Sequence, residues 1–276
     1  MPSAIWPSSA GSWASAEGDV RTIPASNCTR FAAKPLTRGG TPVPVWLAAF
    51  DRGAPPPLDL TACPGLVVVA PHPDDETLGL GATIAQLVSA GVDVQVVSVS
   101  DGGAARPGAP LSEQLRLEAT RKHELRRATG VLGTSPPKSL GLPDGRLADY
   151  ENDLTDTLVE ILEGVVPGTW CAATWRADGH PDHEAVGRAA AEACARTGAA
   201  LLEYPVWMWH WAGPADPGVP WERAHSVPLT RWALGRKRLA AQCFRSQFAS
   251  PTAGSPPVLP AFVLQRLLAV GEVVFR

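Results

Sequence analysis

The chain has 276 residues, enough for one large α/β domain or for a domain with an extension. Its formal net charge of −3 gives no electrostatic case for a nucleic-acid partner, and no apolar run approaches the length that crosses a membrane. The five cysteines are odd in number and include no C-x-x-C pair, which favours reduced thiols in a cytoplasmic protein. No basic region followed by an apolar stretch opens the chain, so we expect no signal peptide.

Residues 1–59 are predicted to form an N-terminal arm and a connector. Residues 1–44 are rich in Ser, Ala, Pro, Gly and Thr without clear periodicity, which is typical of an irregular segment. A short helix is predicted over Val45–Phe50, before a proline-rich connector. The compact domain is then expected over residues 60–276.

Predicted strands and helices alternate from residue 60 onwards. Leu66–Ala70 is a continuous apolar run typical of a strand buried on both faces, and Thr77–Ala90 has helical spacing. Further strands are predicted over Val92–Val99, Lys138–Leu142, Thr169–Trp175 and Ala200–Tyr204, and further helices over Ser112–Thr129, Asn152–Val165, Glu184–Arg196 and Thr230–Cys243. This alternation predicts a Rossmann-like, three-layer α/β/α fold with a mostly parallel sheet.

The C-terminal portion is rich in tryptophan, with half of the ten tryptophans between Trp207 and Trp232. Trp207, Trp209 and Trp211 alternate as in a strand with one apolar face. We expect them in a core or an interface, with a wall of the substrate site as the alternative. Residues 246–260 are predicted to be a loop.

Polar side chains crowd two turns, each directly after a predicted strand. The first turn carries His72, Asp74 and Asp75, and the second carries His180, Asp182 and His183. We expect both turns at the same edge of the sheet, where open α/β sheets bind ligands. A phosphate-binding turn would be rich in glycine, whereas consecutive carboxylates favour a cation. Imidazole and carboxylate groups suit zinc, and a catalytic zinc keeps three protein ligands and one open position.

These motifs resemble those of the PIG-L/LmbE-like family of zinc-dependent N-deacetylases. The segment Ala70-Pro-His-Pro-Asp-Asp-Glu76 is similar to the family's A-H-P-D-D-E turn, except that Pro71 stands directly before the histidine. The segment His180-Pro-Asp-His183 is similar to the second family motif. Weaker similarities are Arg121-x-x-Glu124 and Leu142-Pro-Asp-Gly145, and the resemblance covers about residues 64–206.

The resemblance implies an LmbE-like fold and a hydrolase that removes an N-acetyl group from an amino sugar or an N-acetylglucosamine-type conjugate. It implies that His72, Asp75 and His183 bind Zn²⁺, and that Asp74 is the general base for the zinc-bound water. The substrate would be a small molecule, without a nucleic-acid partner or a membrane span.

The resemblance also implies roles for the remaining polar residues. His180 would stabilise the oxyanion as an imidazolium, and Asp182 would complete the catalytic set by orienting a histidine. Arg121 and Asp144 match positions that contact the sugar. Asp178 stands where some family members place a tyrosine, which leaves oxyanion stabilisation to His180 and the metal.

The same residues allow other interpretations. Glu76 is expected to cap its helix, because carboxylates favour helix N-termini. The same site would suit an amidase of a thiol-sugar conjugate. From other classes, the alternatives are a non-haem iron oxygenase, a nucleotide-binding module and a non-catalytic metal-stabilised protein. The chain lacks G-x-G-x-x-G, which argues against the nucleotide-binding alternative.

Overall fold

The computed structural model describes residues 26–250 and 256–276. The strands of these residues are β1 (Gly65–Ala70), β2 (Asp93–Ser100), β3 (Lys138–Leu142), β4 (Trp170–Thr174), β5 (Ala200–Tyr204), β6 (Ala224–Ser226) and β7 (Val273–Phe275). They form one sheet in the order β3-β2-β1-β4-β5-β7-β6. The first five positions are parallel, and β7 runs antiparallel to both β5 and β6.

Helices cover both faces of this sheet. The α-helices of the described residues are α1 (Asn27–Ala32), α2 (Val43–Arg52), α3 (Asp75–Ser89), α4 (Leu111–Leu132), α5 (Glu151–Glu163), α6 (Pro181–Thr197), α7 (Met208–Trp211), α8 (Arg231–Ala241), α9 (Arg245–Phe248) and α10 (Ala261–Ala269). Val68 of β1 joins the core that includes α3, α4 and α8, whereas Val67 and Val69 join the core of α5 and α6. The predicted three-layer α/β fold with a mostly parallel sheet is therefore confirmed.

The sheet order explains where a ligand site can form. The apolar strand β1 pairs with β2 on one side and with β4 on the other. The chain runs outwards from β1 to β2 and β3, and then returns to place β4 and β5 on the opposite side. The carboxyl ends of β1 and β4 thus flank the point where the strand order reverses, which is where open α/β sheets bind ligands.

The structure corrects the prediction for the tryptophan-rich segment. Met208–Trp211 forms the short helix α7, and not a strand. The Asp178 carboxylate causes this turn, because it accepts hydrogen bonds from the three successive backbone N–H groups of residues 206–208. Trp209 and Trp211 are buried in the core, so the expected core location is confirmed for these two side chains.

Smaller differences concern the ends of helices and one loop. Helix α4 begins at Leu111, directly after Pro110 and one residue before its predicted start at Ser112. Helix α9 occupies part of the segment that was predicted to be a loop. In the described part of the chain, no helix combines the length and the apolar character needed to cross a bilayer.

The N-terminal arm contains helices that pack against the sheet domain. Helix α1 lies where irregular structure was expected, and α2 includes the predicted short helix. Trp46 of α2 is fully buried, and its Nε1–H donates to the carbonyl of Trp209 at 3.1 Å. Residues 1–25 of the predicted arm lie outside the described residues. The division at residues 59 and 60 stays a prediction.

Gly79 lies where α3 packs closely against the ring of Tyr204. A Cβ atom at Gly79 would lie well inside van der Waals contact with the ring of Tyr204. That ring is fully buried, and its hydroxyl donates to the carbonyl of Val69 at 3.0 Å. We expect Gly79→Ala to lower the free energy of unfolding by about 1–3 kcal/mol through overpacking. Denaturant unfolding checks this, with Gly130→Ala on α4 as the control because its Cβ would meet nothing within 4 Å.

Candidate metal centre and active site

The turn after β1 holds a strained backbone at Asp74. Its φ angle of 134° is rare for a residue with a Cβ atom. The Asp74 N–H donates to Glu76 Oε2 at 3.0 Å, and the Asp74 carbonyl accepts from Leu78 N at 2.8 Å. The buried Glu76 thus accepts a bond at the start of α3, in agreement with the expected capping role. Backbone strain of this kind persists where the surroundings enforce it and concentrates at functional sites.

The two predicted turns meet at this edge of the sheet. His72, Asp75 and His183 each offer one ligand atom, and these atoms lie within 4.8 Å of one another. Asp75 Oδ2 lies 3.2 Å from His72 Nδ1 and 3.2 Å from His183 Nε2. Two nitrogens and one carboxylate oxygen are a donor set that can hold a metal ion. A second group with the same spacing consists of His72, His180 and Asp182.

Asp178 fixes the orientation of His183. The His183 Nδ1 lies 2.9 Å from Asp178 Oδ2, and this nitrogen must be the donor because a carboxylate only accepts. In the neutral ring the remaining lone pair is then on Nε2, which is buried, has no hydrogen-bond partner and lies 3.2 Å from Asp75 Oδ2. A carboxylate that holds one histidine nitrogen and leaves the other free is the usual arrangement behind a metal ligand. The site therefore fits a metal on the evidence of its own atoms.

We expect Asp178→Asn to weaken metal binding about 10–100-fold, the usual cost of losing such an outer partner. In the parent protein the Asp178 oxygens accept from His183 Nδ1 and from the backbone N–H groups of residues 206–208. The NH₂ group of asparagine would face some of these donors and could not accept from them. Chelator competition measures the affinity, and thermal unfolding shows whether the fold persists. The control is Asp156→Asn, whose carboxylate is exposed and pairs with Arg196. Unchanged metal affinity in a folded Asp178→Asn protein contradicts the orienting role.

His72 lies among carboxylates. Its Nε2 is 3.1 Å from Asp144 Oδ1 and 3.1 Å from Asp182 Oδ2. Asp182 also accepts the backbone N–H groups of Gly145 at 2.8 Å and Leu147 at 3.1 Å. Asp182 thus lies beside a histidine, the contact expected of an orienting group.

The charges around His72 and His183 favour a cation. Burial alone would lower the pKa of His72, but hydrogen bonds with Asp144, Asp182 and Asp75 outweigh it and hold that pKa well above its usual value. Burial likewise opposes the charge of His183, yet the carboxylates of Asp75 and Asp178 raise its pKa to about 9. The excess of negative charge that stabilises an imidazolium also stabilises a divalent cation.

Arg121 connects the turns and contacts the candidate base. It is 3% exposed, and its guanidinium donates to the carbonyls of Gly102 at 3.0 Å and Pro73 at 2.7 Å. Asp74 Oδ1 lies 3.4 Å from Arg121 Nη2. Burial raises the pKa of Asp74 to about 8, although the charge of Arg121 opposes this shift. Arg121 Nε is buried without a hydrogen-bond partner and lies against the backbone of Gly102.

His180 is the N-cap residue of α6, where Pro181 begins the helix. The backbone N–H of Asp182 donates to His180 Nδ1 at 3.3 Å. The proton of the neutral ring is therefore on Nε2. Burial, then the charges of His183 and His72, lower the pKa of His180 to about 3. This environment favours a neutral imidazole, whereas the sequence resemblance implied an imidazolium.

A cavity of about 350 Å³ joins these groups to an apolar surface. Each predicted metal ligand, the candidate base, Arg121, Asp144 and His180 line it, and Asp182 lies behind His72. Trp207 also lines the cavity, which was the alternative interpretation for the tryptophan segment. Sequence reasoning missed the contributions of Phe31 and of α10, because neither carries a polar motif. The contact between Asp178 and His183 could have been suspected from the sequence, because Asp178 lies between a predicted strand and the second motif.

Comparison with known proteins agrees with this geometry. The family model described as PIG-L, GlcNAc-PI de-N-acetylase, matches residues 67–194. A probable N-acetyl-α-D-glucosaminyl L-malate deacetylase 2 of Bacillus anthracis is 32% identical over 133 residues, which cover 47% of this chain and 59% of the relative. An uncharacterized deacetylase of Escherichia coli K12 is 30% identical over 144 residues, covering 51% of this chain and 72% of the relative.

A solved structure shows the same fold. The N,N′-diacetylchitobiose deacetylase of Pyrococcus horikoshii aligns with a TM-score of 0.52 and 24% identity, over 67% of this chain and 71% of that one. The chain spans only 50–64% of the length of several other curated relatives. The matched segment nevertheless includes both motif turns, all of β4 and most of β1. The chain belongs to the PIG-L family.

Proposed function

We propose that this protein is a zinc-dependent N-deacetylase that removes an acetyl group from an amino sugar or an N-acetylglucosamine-type conjugate. The observation that carries the proposal is the cluster of His72, Asp75 and His183 beside the buried carboxyl of Asp74, in one cavity. Family membership supports it, since relatives are named as deacetylases of N-acetylglucosaminyl L-malate and of diacetylchitobiose.

His72, Asp75 and His183 would hold the metal. Two imidazoles and one carboxylate are a ligand set that zinc accepts in hydrolases, with a position left open. When bound, zinc supplies a water of lowered pKa and polarises the amide carbonyl. Asp178 holds the His183 ring in place through a hydrogen bond from His183 Nδ1. The Nε2–H of His72 can donate to Asp144 or to Asp182, and this bond holds the His72 ring in the same way.

Asp74 is the general base in this proposal. Its carboxyl lines the cavity next to the cluster and takes the proton as the water attacks the amide carbon. The positive charge of Arg121, whose Nη2 lies 3.4 Å from Asp74 Oδ1, lowers the pKa of Asp74 against the effect of burial and so favours the ionised carboxylate that a base requires. The proton then passes to the leaving amine, which departs as the C–N bond breaks.

His180 stabilises the oxyanion as a neutral hydrogen-bond donor. Because its Nδ1 accepts the N–H of Asp182, its Nε2–H is available to an oxygen in the cavity. A neutral imidazole at a helix N-terminus can polarise a carbonyl in this way. This assignment keeps the residue that the family resemblance implied and changes its charge.

Arg121 and Asp144 would contact the sugar. Both side chains line the cavity, where a guanidinium can donate to a sugar oxygen and a carboxylate can accept from a hydroxyl group. Backbone contacts hold both groups, since Asp144 Oδ2 accepts from Ala104 N at 2.7 Å and Arg121 donates to Gly102 and Pro73. A cytoplasmic location is also proposed, and five cysteines without a disulfide support it.

Metal analysis of the purified protein, followed by a screen of N-acetylated amino sugars and their conjugates, tests the proposal. We expect bound zinc and release of acetate from at least one N-acetylglucosamine conjugate. Thiol-sugar conjugates belong in the screen, because an amidase of such compounds would use the same site. Bound iron with oxygen consumption would favour an oxygenase. Nucleotide binding without zinc would favour a nucleotide-binding protein, and zinc without any turnover a non-catalytic one.

A further inference from the structure

Helix α8 presents large apolar side chains on the outside of the molecule, away from the cavity. The helix packs on α3, which is almost entirely buried, and against α4, so it lies on the outer side of this layer. Trp232 is 53% exposed and Leu239 is 52% exposed. These two positions are seven residues apart, about two helical turns, and so lie on the same side of α8.

Arginines surround these apolar side chains. Arg231 and Arg238 are exposed and are also seven residues apart. The guanidinium carbon of Arg236 lies 5.9 Å from the centre of the Trp232 ring, within the range of a cation–π contact. Helix α8 contains no acidic residue, and its remaining cation, Lys237, is buried in an ion pair. The outer face of α8 is therefore positive and apolar at once.

The neighbouring helix α4 extends this face. Arg236 of α8 donates to the carbonyl of Val131 of α4. Burial raises the pKa of the Cys243 thiol just after α8, and the charge of the exposed Arg127 of α4 opposes this rise, so Arg127 lies near that end of α8. The basic surface, as it is called here, consists of Arg127, Arg231, Trp232, Arg236, Arg238 and Leu239.

Arginines on the opposite face of the sheet have carboxylate partners. On α6, Arg188 pairs with Glu151 at 2.7 Å, and Arg196 pairs with Asp156 at 2.9 Å. Among the described residues, by contrast, no carboxylate lies within ion-pair distance of any arginine of the basic surface. The chain as a whole has a formal net charge of −3, so positive charge is concentrated at this face. An anionic partner from outside can neutralise it.

The combination of charges and apolar groups determines which anionic partner fits. The headgroup layer of an anionic phospholipid membrane carries phosphates for the arginines, and the acyl chains directly below accept apolar side chains. Tryptophan is enriched at this depth, because its ring is apolar and its indole N–H is polar. A nucleic acid would satisfy the arginines and could stack on Trp232, but it offers no apolar layer to Leu239.

We propose that the basic surface binds the headgroup layer of an anionic phospholipid membrane, with Trp232 and Leu239 reaching the upper part of the acyl chains. The protein would attach by one face, without spanning the bilayer. The cytoplasmic leaflet carries negative charge, which agrees with the proposed location. This inference is independent of the proposed deacetylase function, because attachment is measured without turnover.

Sedimentation of the full metal-loaded chain with phospholipid vesicles tests the proposal. One set of vesicles is pure phosphatidylcholine, and the other contains about one third phosphatidylglycerol. We expect association with the anionic vesicles only, and a weaker association at high salt, because salt screens the interaction between arginines and headgroups. Absence of association with anionic vesicles at low salt would overturn the proposal.

A pair of arginine substitutions locates the electrostatic part. We expect Arg231→Gln/Arg238→Gln to reduce the partition coefficient about fivefold for each arginine. The matched control is Arg188→Gln/Arg196→Gln, which makes the same change in net charge on α6 and should leave the partition coefficient unchanged. An equal loss in both double variants would show that net charge alone attracts the protein, and the basic surface would then have no role of its own.

Substitutions of Trp232 test the apolar part. We expect Trp232→Ala to reduce partitioning about tenfold, because the exposed part of the ring no longer leaves water. The control is Val166→Ala, at a position that is 62% exposed in the loop after α5. Trp232→Phe keeps an apolar ring and should still bind, but brominated acyl chains should quench its tryptophan fluorescence less than that of the parent. Thermal unfolding shows that each variant is folded.

Other occupants of the basic surface give different results. Binding of a polyanion such as heparin that needs the arginines but not Trp232, without binding to anionic vesicles, indicates a nucleic-acid-like partner and contradicts the proposal. A dimer in sedimentation that Trp232→Ala dissociates, again without vesicle binding, indicates that a second copy covers the surface. Vesicle binding that persists in both the arginine and the tryptophan variants shows that another part of the chain contacts the membrane.

Discussion

Asp74→Asn is expected to abolish most of the turnover while the protein keeps its metal. The asparagine side chain has the same shape and can still accept from Arg121, which lies 3.4 Å from Asp74 in the parent. It has no basic atom, so it cannot take the proton from the attacking water. Loss of a positioned general base costs about 10²–10⁴-fold in rate. Steady-state kinetics on the substrate found in the screen, with metal analysis of the same sample, measures this effect.

The control for Asp74→Asn is Asp149→Asn. Asp149 carries an exposed carboxylate that pairs with Arg146, away from the metal cluster, and its substitution should leave both rate and metal content unchanged. If Asp74→Asn keeps its metal and works within a few-fold of the parent rate, Asp74 is not the base. If the metal is lost as well, the residue contributes to metal binding, and the assignment of its role changes accordingly.

His183→Ala is expected to remove the metal. The substitution deletes a ligand whose Nε2 is buried and free of hydrogen bonds, and it also leaves the Asp178 carboxylate buried without its imidazole partner. We expect metal affinity to fall by more than about 100-fold, beyond the usual cost of losing an outer partner. Activity should fall to the background rate. Metal content after dialysis, measured by mass spectrometry, checks the prediction.

A variant of a second metal ligand tests whether the metal is lost because a ligand is missing or because the protein unfolds. His72→Ala alters a side chain that is less buried than His183 and should give the same loss of metal. His123→Ala serves as the control, because His123 is exposed on α4 and does not line the cavity. Folded His72→Ala and His183→Ala proteins that both retain stoichiometric metal would contradict the proposed ligand set.

Much of the central fold could be predicted from the sequence. The apolar run of β1 is uninterrupted, and β3 and β5 have the predicted ends because turn residues bound them on both sides. It could also be predicted that the two motif turns meet, because parallel strands place their carboxyl ends at the same edge of a sheet. The positions of His72 and His183 needed no more than this rule and the strand assignments.

Other features depend on contacts between distant residues. Strands β6 and β7 have three residues each, too few to show a period of two. Helix α7 forms because a carboxylate some thirty residues earlier in the chain accepts its first N–H groups, which no local pattern indicates. Phe31 and α10 reach the cavity only through packing of both ends of the described chain against the sheet. Composition and spacing do not encode such pairings.

The division of the cavity between two parts of the chain has a consequence for its evolution. The catalytic geometry depends on turns anchored to β1 and β4, whose positions the central sheet fixes. The apolar lining at the periphery is carried by α1, α10 and neighbouring loops. Substitutions there leave the reacting atoms where they are, so new specificities can arise without loss of the chemistry. A library of variants confined to the peripheral surface is accordingly a direct route to altered selectivity in this protein.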